Sequence, residues 1–305
     1  MNKTLTVFTP TYNRAYSLPA LFQSLLDQTD KHFDWFVIDD GSKDSTSDYL
    51  FELSHLELPF SFRYLVIENG GKQRAINYAL SKINTDYILI LDSDDYLTTD
   101  AIEKVNLWIN DTELDESYAG VSGVKGDPDG KPLAGEPSFL GEFVDATNLE
   151  RNQYNLAADM AEVYRTDLLR QYPFVVWPGE TFVPESVVWD RIALDGYKIR
   201  WHKDVIYCCE YRDDGLTNNF WKLLKLNPMG YAMMYDLKQK VEKKKGNKWR
   251  YALQMASCLM LAKEPGYVFK STSPIRSILS LPAGFLLSIR RRKQIKTLTR
   301  EIGTP

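Results

Sequence analysis

Short apolar segments alternate with amphipathic segments through the first 110 residues, and this alternation constrains the fold more than any other feature of the chain. The apolar segments are rich in β-branched and aromatic residues, whereas the segments between them repeat apolar residues at helical spacing. Strands that alternate with helices are joined by right-handed crossovers, so the pattern predicts an α/β fold with a mostly parallel sheet flanked by helices. The predicted strands are residues 5–9, 35–38, 62–67 and 87–91, and the predicted helices are residues 18–26, 47–53, 73–82 and 100–108.

The pattern loosens beyond residue 111. Residues 126–139 are rich in glycine and proline, which indicates an excursion or hairpin, and the chain beyond residue 220 is predominantly helical in character. Further predicted strands are residues 118–124, 160–164 and 197–209, with a helix at residues 185–194. The predicted domains are residues 1–218, divided into halves 1–110 and 111–218, and a helical region at residues 219–305.

The net charge of −4 hides a strong asymmetry. Residues 222–305 hold 18 basic and 4 acidic residues, a net charge of +14, whereas residues 1–221 have a net charge of −18. A cationic region favours an anionic partner, either lipid headgroups or nucleic acid. Nucleic acid is disfavoured, because the basic residues are not interleaved with a recognisable binding motif.

An apolar run at residues 277–289 precedes the basic cluster Arg290-Arg291-Arg292-Lys293. The run is too short to cross a bilayer, which needs about 20 residues. We therefore expect peripheral contact with an anionic membrane, with this cluster and the lysines at 243–245 and 248 on the headgroups. The alternative is a helical hairpin that packs on the core and has a solvated basic face.

Three carboxylates follow the fourth predicted strand directly, in the sequence Asp92-Ser93-Asp94-Asp95. Acids crowded at the carboxyl end of a buried strand repel each other unless a cation lies between them. A divalent metal with a phosphorylated ligand is one solution, and open α/β sheets bind ligands at this edge. The alternative is a solvated turn in which Asp95 or Thr98 caps the next helix.

The other three strand ends carry complementary groups. After the first strand, Tyr12 could stack on a base and Arg14 could face phosphate, although the segment also has good turn chemistry. The second strand ends in Asp39-Asp40, which can accept base or ribose hydrogen bonds or can begin a helix. The third leads to two glycines, Lys72 and Arg74 before a helix, a plausible anion site. Together the four ends suit a nucleotide diphosphate with a metal.

These motifs together resemble family 2 glycosyltransferases of the GT-A fold. The matching stretches are VFTPTYNR at 7–14, VIDDGS at 37–42 and LDSDD at 91–95, and the likeness covers roughly residues 3–215. It implies a Rossmann-like GT-A catalytic domain at residues 1–218, with a nucleotide-binding half and an acceptor half. It also implies an inverting, metal-dependent hexosyltransferase that uses a nucleotide-sugar, usually a UDP-sugar, and Mn²⁺ or Mg²⁺. The acceptor would be a glycan or a lipid-linked molecule of surface polysaccharide synthesis.

The resemblance also implies roles for individual residues. Asp92 and Asp94 would serve ribose and the metal–pyrophosphate, and Asp214 would take the place of a family histidine near the metal. The implied donor-binding residues are Thr9, Pro10, Tyr12, Arg14, Asp39, Asp40, Lys72, Arg74, Asn77, Asp92 and Ser93.

The implied catalytic base is Glu185. The family places this carboxylate on the second acid of a Glu-Asp pair, several residues before a helical arginine, and Glu185 stands six residues before Arg191. Pro184-Glu185 replaces the Glu-Asp pair here, so Asp190 is the alternative base. Glu185 could also act only as a cap at the start of its helix.

Rival functions share parts of this pattern. A sugar-1-phosphate nucleotidylyltransferase would carry a glycine-rich, arginine-containing loop and Pro-Lys after the first strand, where this chain has Thr-Pro-Thr-Tyr-Asn-Arg. A D-x-D-x-T phosphatase would carry its acids on the first strand. A catalytically inactive nucleotide-sugar-binding scaffold would need a lost base.

The cysteines, Cys208, Cys209 and Cys258, lack metal-ligand spacing, and no signal-peptide segment is present, so we expect reduced thiols and a cytoplasmic location at the inner face of the plasma membrane.

Overall fold

A computed structural model describes residues 4–112, 115–133, 135–157, 159–209 and 220–301. The chain separates into two compact units. The first unit comprises Met1–Pro173 with Arg191–Tyr211, and the second comprises Phe174–Asp190 with Arg212–Pro305. The predicted domain boundary between residues 218 and 219 lies outside the described residues and stays a prediction.

The first unit is an α/β layer structure around one sheet of nine strands among the described residues. The strands are β1 (Leu5–Thr11), β2 (Asp34–Asp39), β3 (Ser61–Val66), β4 (Tyr87–Ile90), β5 (Tyr96–Leu97), β6 (Tyr118–Gly126), β7 (Phe143–Ala146), β8 (Met160–Arg165) and β9 (Lys198–Cys208). The helices are α1 (Leu18–Leu26), α2 (Thr46–Leu53), α3 (Lys72–Leu80), α4 (Ala101–Thr112) and α5 (Thr166–Leu169), with a 3₁₀ turn at Arg151–Tyr154. α6 (Ser186–Leu194) divides its residues between the two units.

The sheet is mixed and follows the order β3-β2-β1-β4-β8-β6-β9-β5, with β7 paired to β9. β3, β2, β1 and β4 are mutually parallel, which confirms the predicted parallel sheet of the first 110 residues. Thr11 of β1 lies opposite Asp39 of β2, and Asp39 lies opposite Val66 of β3. The carboxyl ends of these strands therefore meet at one edge, where the predicted polar clusters follow them.

Burial explains why these segments form strands and helices. All seven residues of β1 are buried, as expected of a central parallel strand with helices on both faces. α1 buries Leu18, Leu21 and Leu25 at helical spacing against the core that Val7 and Leu89 also enter. The short helix α5 and the 3₁₀ turn at Arg151–Tyr154 were not predicted, and neither were two strands, β5 and β7. They have two and four residues, too few for a periodic signal, and they form because β9 offers them a pairing edge.

The second unit is helical in its described part beyond residue 220, as predicted. Its helices are α7 (Phe220–Leu226), α8 (Pro228–Val241), α9 (Lys245–Ala262), α10 (Pro274–Leu279) and α11 (Leu281–Glu301), with a 3₁₀ helix at Pro265–Lys270. Their core includes Leu224, Met229, Met255 and Leu259. Among the described residues, no helix combines the length and the apolar character that crossing a bilayer requires.

A buried glutamate fixes the start of α8. One carboxylate oxygen of Glu180 accepts the backbone N–H of Met229 at 2.7 Å, and the other accepts that of Gly230 at 2.8 Å. Both N–H groups belong to the first turn of the helix and have no partner within it, so the carboxylate satisfies them and complements the helix dipole. Gly230 is required because a Cβ there would lie 2.4 Å from the carbonyl oxygen of Phe182.

The predicted basic cluster at 290–293 does not face outward as a whole. Arg291 is 5% exposed, and its guanidinium donates to the sulfur of Cys258 at 3.2 Å and to the side chain of Gln254. The prediction that all four residues would lie on headgroups is therefore wrong for Arg291. In a helix, successive residues point in different directions, so a run of four cations cannot share one face.

Candidate active site

Two ion pairs hold the acids that follow β4. Nζ of Lys72, at the start of α3, lies 2.5 Å from Oδ1 of Asp92, and Nη2 of Arg14 lies 3.4 Å from Oδ2 of Asp94. All four side chains are partly exposed. Oppositely charged side chains from the ends of β1 and β4 and from the start of α3 thus lie together at one edge of the sheet. The sequence predicted that polar groups from these segments would share this edge.

The surroundings of Asp92 favour its ionised form. Burial would raise the pKa of Asp92, but the positive charges of Lys72 and Lys125 outweigh burial and lower it. The backbone N–H of Asp92 donates to the hydroxyl of Tyr207 at 2.9 Å. Lys125 lies over the ring of the same tyrosine, with Nζ 4.1 Å from the ring centroid. Asp92 is therefore a carboxylate supported by cations from β6 and α3.

Asp95 differs from Asp92 in that its surroundings favour the protonated form. Burial and the negative charge of Asp92 raise the pKa of Asp95 to about 6, while Lys125 opposes them. The thiol of Cys209 donates to Oδ2 of Asp95 at 3.4 Å.

Asp39 and Asp40 organise the loops at the ends of β2 and β3. Oδ1 of Asp39 accepts the backbone N–H of Ser42 at 2.9 Å, and both carboxylate oxygens of Asp40 accept backbone N–H groups, from Gly70 at 2.8 Å and from Gly71 at 2.7 Å. Burial raises the pKa of Asp40, although the two N–H bonds oppose the rise. Both side chains are almost fully buried, and their hydrogen bonds position the loops at the ends of β2 and β3. Their contact with a donor stays a prediction.

The two hydrogen bonds from the N–H groups of Gly70 and Gly71 to Asp40 form a clamp between β2 and α3, and the glycines allow it. Gly71 has φ 94° and ψ 156°, a conformation that only glycine adopts without strain. Its position brings its N–H to Asp40 and directs the first turn of α3 toward the β4 acids. Nη1 of Arg74 donates to the carbonyl of Gly70 at 2.7 Å, and Asn77 lies one turn further along α3, partly exposed.

The loop after β1 is tied to the loop after β2. Asn13 has φ 52°, its backbone N–H donates to Oγ of Ser42 at 2.9 Å, and its Oδ1 accepts the N–H of Lys43 at 2.7 Å. This turn leaves the ring of Tyr12 45% exposed, so a planar ligand can reach it.

Besides Asp39 and Asp40, three more of the predicted donor-binding residues are buried. Thr9 and Pro10 are strand residues of β1, and the hydroxyl of Thr9 accepts the indole N–H of Trp35 at 3.1 Å. Ser93 is 6% exposed, and its carbonyl accepts a hydrogen bond from Oγ of Ser17 at 2.8 Å. The structure does not bring the side chains of these three residues to its surface.

The residues at this edge fit a divalent cation in chemistry. Asp92 and Asp94 offer partly exposed carboxylate oxygens, the donors that Mg²⁺ and Mn²⁺ prefer. In the described parts of the chain, however, no three acidic, histidine or cysteine side chains converge on one point. Asp214 lies outside the described residues, so its assignment as a ligand stays a prediction.

The two candidate bases differ sharply in their surroundings. Glu185 is partly exposed and directly precedes α6, where its carbonyl accepts the N–H groups of Val188 at 2.8 Å and Trp189 at 3.2 Å. Asp190 is 2% exposed, and its carboxylate lies 2.9 Å from Nζ of Lys238 on α8. A buried, paired carboxylate is poorly placed to take a proton from a substrate, so the geometry of the second unit favours Glu185 over Asp190.

Sequence reasoning missed two residues of the site and one neighbour. Lys125 and Tyr207 lie on β6 and β9, far along the chain from Asp92, and only the pairing of these strands brings them to it. Glu162 of β8 lies 3.3 Å from Arg151, and burial raises the pKa of Glu162 to about 7. No local motif marks these three residues. Each is a polar side chain within or directly after a predicted strand, and this is the one sequence signal that could have indicated them.

Comparisons with known proteins agree with this geometry. The model of the family described as glycosyl transferase family 2 matches residues 6–172. The putative teichuronic acid biosynthesis glycosyltransferase TuaG of Bacillus subtilis is 33% identical over 129 residues, which are 42% of this chain and 50% of TuaG. The poly(ribitol-phosphate) β-N-acetylglucosaminyltransferase TarS of Staphylococcus aureus is 27% identical over 167 residues, which are 54% of this chain and 28% of TarS. The matched segments thus span half or less of these relatives' own lengths.

Solved structures share the fold across nearly the whole chain. Residues 1–349 of S. aureus TarS in complex with UDP-GlcNAc superpose with a TM-score of 0.60 at 16% identity, covering 98% of this chain and 92% of that one. The mannosyltransferase PcManGT of Pyrobaculum calidifontis, in complex with GDP-Man and Mn²⁺, gives a TM-score of 0.55 at 17% identity and covers 96% and 83%. These likenesses confirm the predicted GT-A fold.

Proposed function

Because the chain belongs to glycosyl transferase family 2, a family that transfers sugars from nucleotide-sugars, we propose that it is a metal-dependent, inverting hexosyltransferase with a UDP-sugar donor. The observation that carries the proposal is the pairing of Asp92 with Lys72 and of Asp94 with Arg14 at the carboxyl edge of the sheet. Acids and cations held side by side are the groups that a cation and a diphosphate need together. TuaG and TarS are named for teichuronic and poly(ribitol-phosphate) polymers, which supports a surface glycan or a lipid-linked molecule as the acceptor.

The donor would bind by exchanging partners with these ion pairs. Asp92 and Asp94 would hold Mn²⁺ or Mg²⁺, which neutralises the charge that develops on the leaving diphosphate. Lys72 and Arg14, released from the acids, would then contact phosphate oxygens directly. The exposed ring of Tyr12 would stack on the base, with Asp39, Asp40, Arg74 and Asn77 shaping the rest of the donor site.

Glu185 would act as the general base. In an inverting transfer, the acceptor hydroxyl loses its proton to the base while its oxygen attacks the anomeric carbon from the side opposite the leaving group. The bond from that carbon to the phosphate oxygen breaks, and the electron pair leaves with the nucleoside diphosphate. The partial exposure of Glu185 and the burial of Asp190 against Lys238 support this assignment.

Two other functions remain as competing proposals. A nucleotidylyltransferase would attack the α-phosphate of a nucleoside triphosphate and would release pyrophosphate, and a scaffold would bind the donor without turnover. Product analysis separates them, because a nucleotidylyltransferase would release pyrophosphate, a scaffold would release nothing, and a glycosyltransferase would release a nucleoside diphosphate. We further propose a cytoplasmic location at the inner face of the plasma membrane, where a lipid-linked acceptor would be found.

The proposal is tested by thermal unfolding with a panel of nucleotides and nucleotide-sugars, each with and without Mn²⁺. A ligand that binds the native state raises the unfolding midpoint by mass action. We expect a metal-dependent rise with UDP and with one UDP-sugar, and its loss in Asp94→Asn. Asp48→Asn, an exposed acid on α2 of the same unit, is the matched control and should keep the rise. Absence of a shift with every nucleotide diphosphate would contradict the donor assignment.

A further inference from the structure

Helix α10 and residues 284–291 of helix α11 expose apolar side chains and bury small or polar ones. In α10, Ile275, Ile278 and Leu279 are 77%, 37% and 63% exposed, and their spacing places them on one face. The opposite positions Ser277 and Ser280 are 0% and 5% exposed. A helix that faces water normally shows the reverse pattern, with its apolar face toward the core.

α11 repeats this inverted pattern. Phe285, Leu286 and Ile289 are 50%, 67% and 38% exposed, whereas Ser288 is fully buried. We call these three residues, together with Ile275, Ile278 and Leu279, the outer apolar face.

The buried side of α11 explains why its apolar residues point outward. A Cβ at Gly284 would lie 2.5 Å from the Cβ of Ala256, so α11 approaches α9 too closely for a larger side chain. One turn and two turns further, Ser288 and Arg291 also face inward, and Arg291 bonds to Cys258. Close packing of α11 on α9 at Gly284, Ser288 and Arg291 therefore uses small and polar residues, and it leaves Phe285, Leu286 and Ile289 on the exposed side of the helix.

A cationic pocket accompanies the outer apolar face. The pocket has a volume of about 600 Å³ and lies between the start of α9 and α10. Its basic residues are Lys243, Lys245, Lys248 and Arg276, and Ile275 and Leu279 of the outer apolar face also line it, together with Trp249. The guanidinium of Arg276 lies 6.0 Å from the ring of Trp249, which is 46% exposed.

We propose that the outer apolar face and this pocket together bind the surface of an anionic bilayer, with the apolar side chains among the upper acyl chains and the pocket on lipid phosphates. Apolar side chains next to a tryptophan and clustered cations match the interface, where apolar, aromatic and phosphate groups lie at successive depths. A second copy of the chain is disfavoured as the occupant, because a two-fold contact through this surface would bring like-charged lysines together. This surface is independent of the proposed transfer reaction, so failure of either leaves the other standing.

The test is co-sedimentation of the full chain with vesicles of phosphatidylcholine alone or mixed with phosphatidylglycerol. We expect partition onto the anionic vesicles, weakened by added salt because exposed charges are screened. The Lys243→Gln, Lys245→Gln and Lys248→Gln triple variant should lower the partition coefficient by about 100-fold. The double variant Leu279→Glu with Leu286→Glu should lower it at least about tenfold.

Matched controls separate the surface from general effects. Leu107→Glu changes a leucine that is 59% exposed on α4 of the first unit, and it should leave partition unchanged. The triple variant of Lys82, Lys131 and Lys198 to Gln removes the same charge from exposed lysines of the first unit and should have at most a severalfold effect. Far-ultraviolet circular dichroism and unfolding midpoints confirm that each variant folds.

Three outcomes would overturn the proposal. The first is equal sedimentation with and without anionic lipid, and the second is an equal loss in the control variants. The third is a wild-type dimer in analytical ultracentrifugation that Leu279→Glu with Leu286→Glu converts to monomer, which would identify the outer apolar face as an interface between copies. Quenching of Trp249 by brominated lipid, absent in Trp249→Phe, would place the pocket itself at the bilayer.

Discussion

The two units arrange their apolar and polar side chains in opposite ways. In the first unit, apolar side chains fill the core, and acids and cations pair at 2.5 Å and 3.4 Å at one edge of the sheet. In the second, α10 and α11 bury serines and an arginine and expose leucines, isoleucines and a phenylalanine. The first arrangement suits a small, highly charged ligand, because its groups converge. The second suits an extended surface, because its groups spread over two helices.

The largest effect expected is on catalysis. Glu185→Gln keeps the size of the side chain but removes its ability to take a proton, so we expect the transfer rate to fall about 10²- to 10⁴-fold with donor affinity unchanged. The measurement is single-turnover transfer from saturating donor, alongside calorimetric donor binding. Asp190→Asn is the control. It should lower the free energy of unfolding, since it breaks the ion pair of buried Asp190 with Lys238, and it should have a smaller effect on the transfer rate than Glu185→Gln. A loss of donor affinity with the transfer step intact would disprove the base assignment.

Two leucines test the contrast between the units directly. Leu25→Ala in α1 removes a fully buried side chain and should lower the free energy of unfolding by about 2–5 kcal/mol. Leu286→Ala in α11 removes one that is 67% exposed and should change it by less than about 0.5 kcal/mol. Urea unfolding measures both. A large cost at Leu286 would mean that this side chain has a partner and that the outer apolar face is covered.

Glu162 predicts a pH dependence of stability. Burial raises the pKa of Glu162 to about 7 in the native state, so this group stabilises the fold while protonated, at low pH. That stabilisation is lost as pH rises through the native pKa, and we expect a loss of about 2–3 kcal/mol between pH 5 and pH 8. Glu162→Gln stays neutral and should not show it, so the difference between the two proteins isolates the group in urea titrations at several pH values. Parallel curves for wild type and variant would contradict the assigned burial.

The smallest effect expected is at the clamp between β2 and α3. Gly71→Ala forces a non-glycine residue into a conformation that costs about 1–3 kcal/mol. If the loop relaxes to avoid this strain, its N–H moves away from Asp40 and Lys72 moves away from Asp92. Donor affinity should therefore fall along with stability. Gly179→Ala, another glycine with positive φ but with open space around it, controls for strain alone and should spare donor affinity.

Local signals made the first half of the first unit predictable. A run such as Tyr87–Ile90 carries its own strand pattern, and the acids that follow it reach the edge of the sheet because parallel strands end together. The support from Lys125 and Tyr207 could not be predicted in the same way, because it depends on which distant strands pair. β5 has two residues, and no periodicity can reveal a strand of that length.

The second unit was predictable in type but not in orientation. A cationic, helical region follows from composition, but which side of a helix faces the core depends on its packing partner. Arg291 is the clearest case, because it sits in a run of four cations and yet points inward to Cys258. No sequence pattern marks Glu180, which caps the start of α8 from a buried position.

The paired charges at the sheet edge have a thermodynamic consequence for how the binding of two ligands is coupled. A cation that bound alone to Asp92 and Asp94 would leave Lys72 and Arg14 without their partners and close to a like charge. A diphosphate that bound alone to Lys72 and Arg14 would meet two carboxylates. Each ligand relieves the repulsion that the other faces, so their binding free energies are coupled, and by linkage the coupling is the same in both directions. If the edge binds a cation and a diphosphate as proposed, joint occupancy by both is therefore favoured over binding of either one alone.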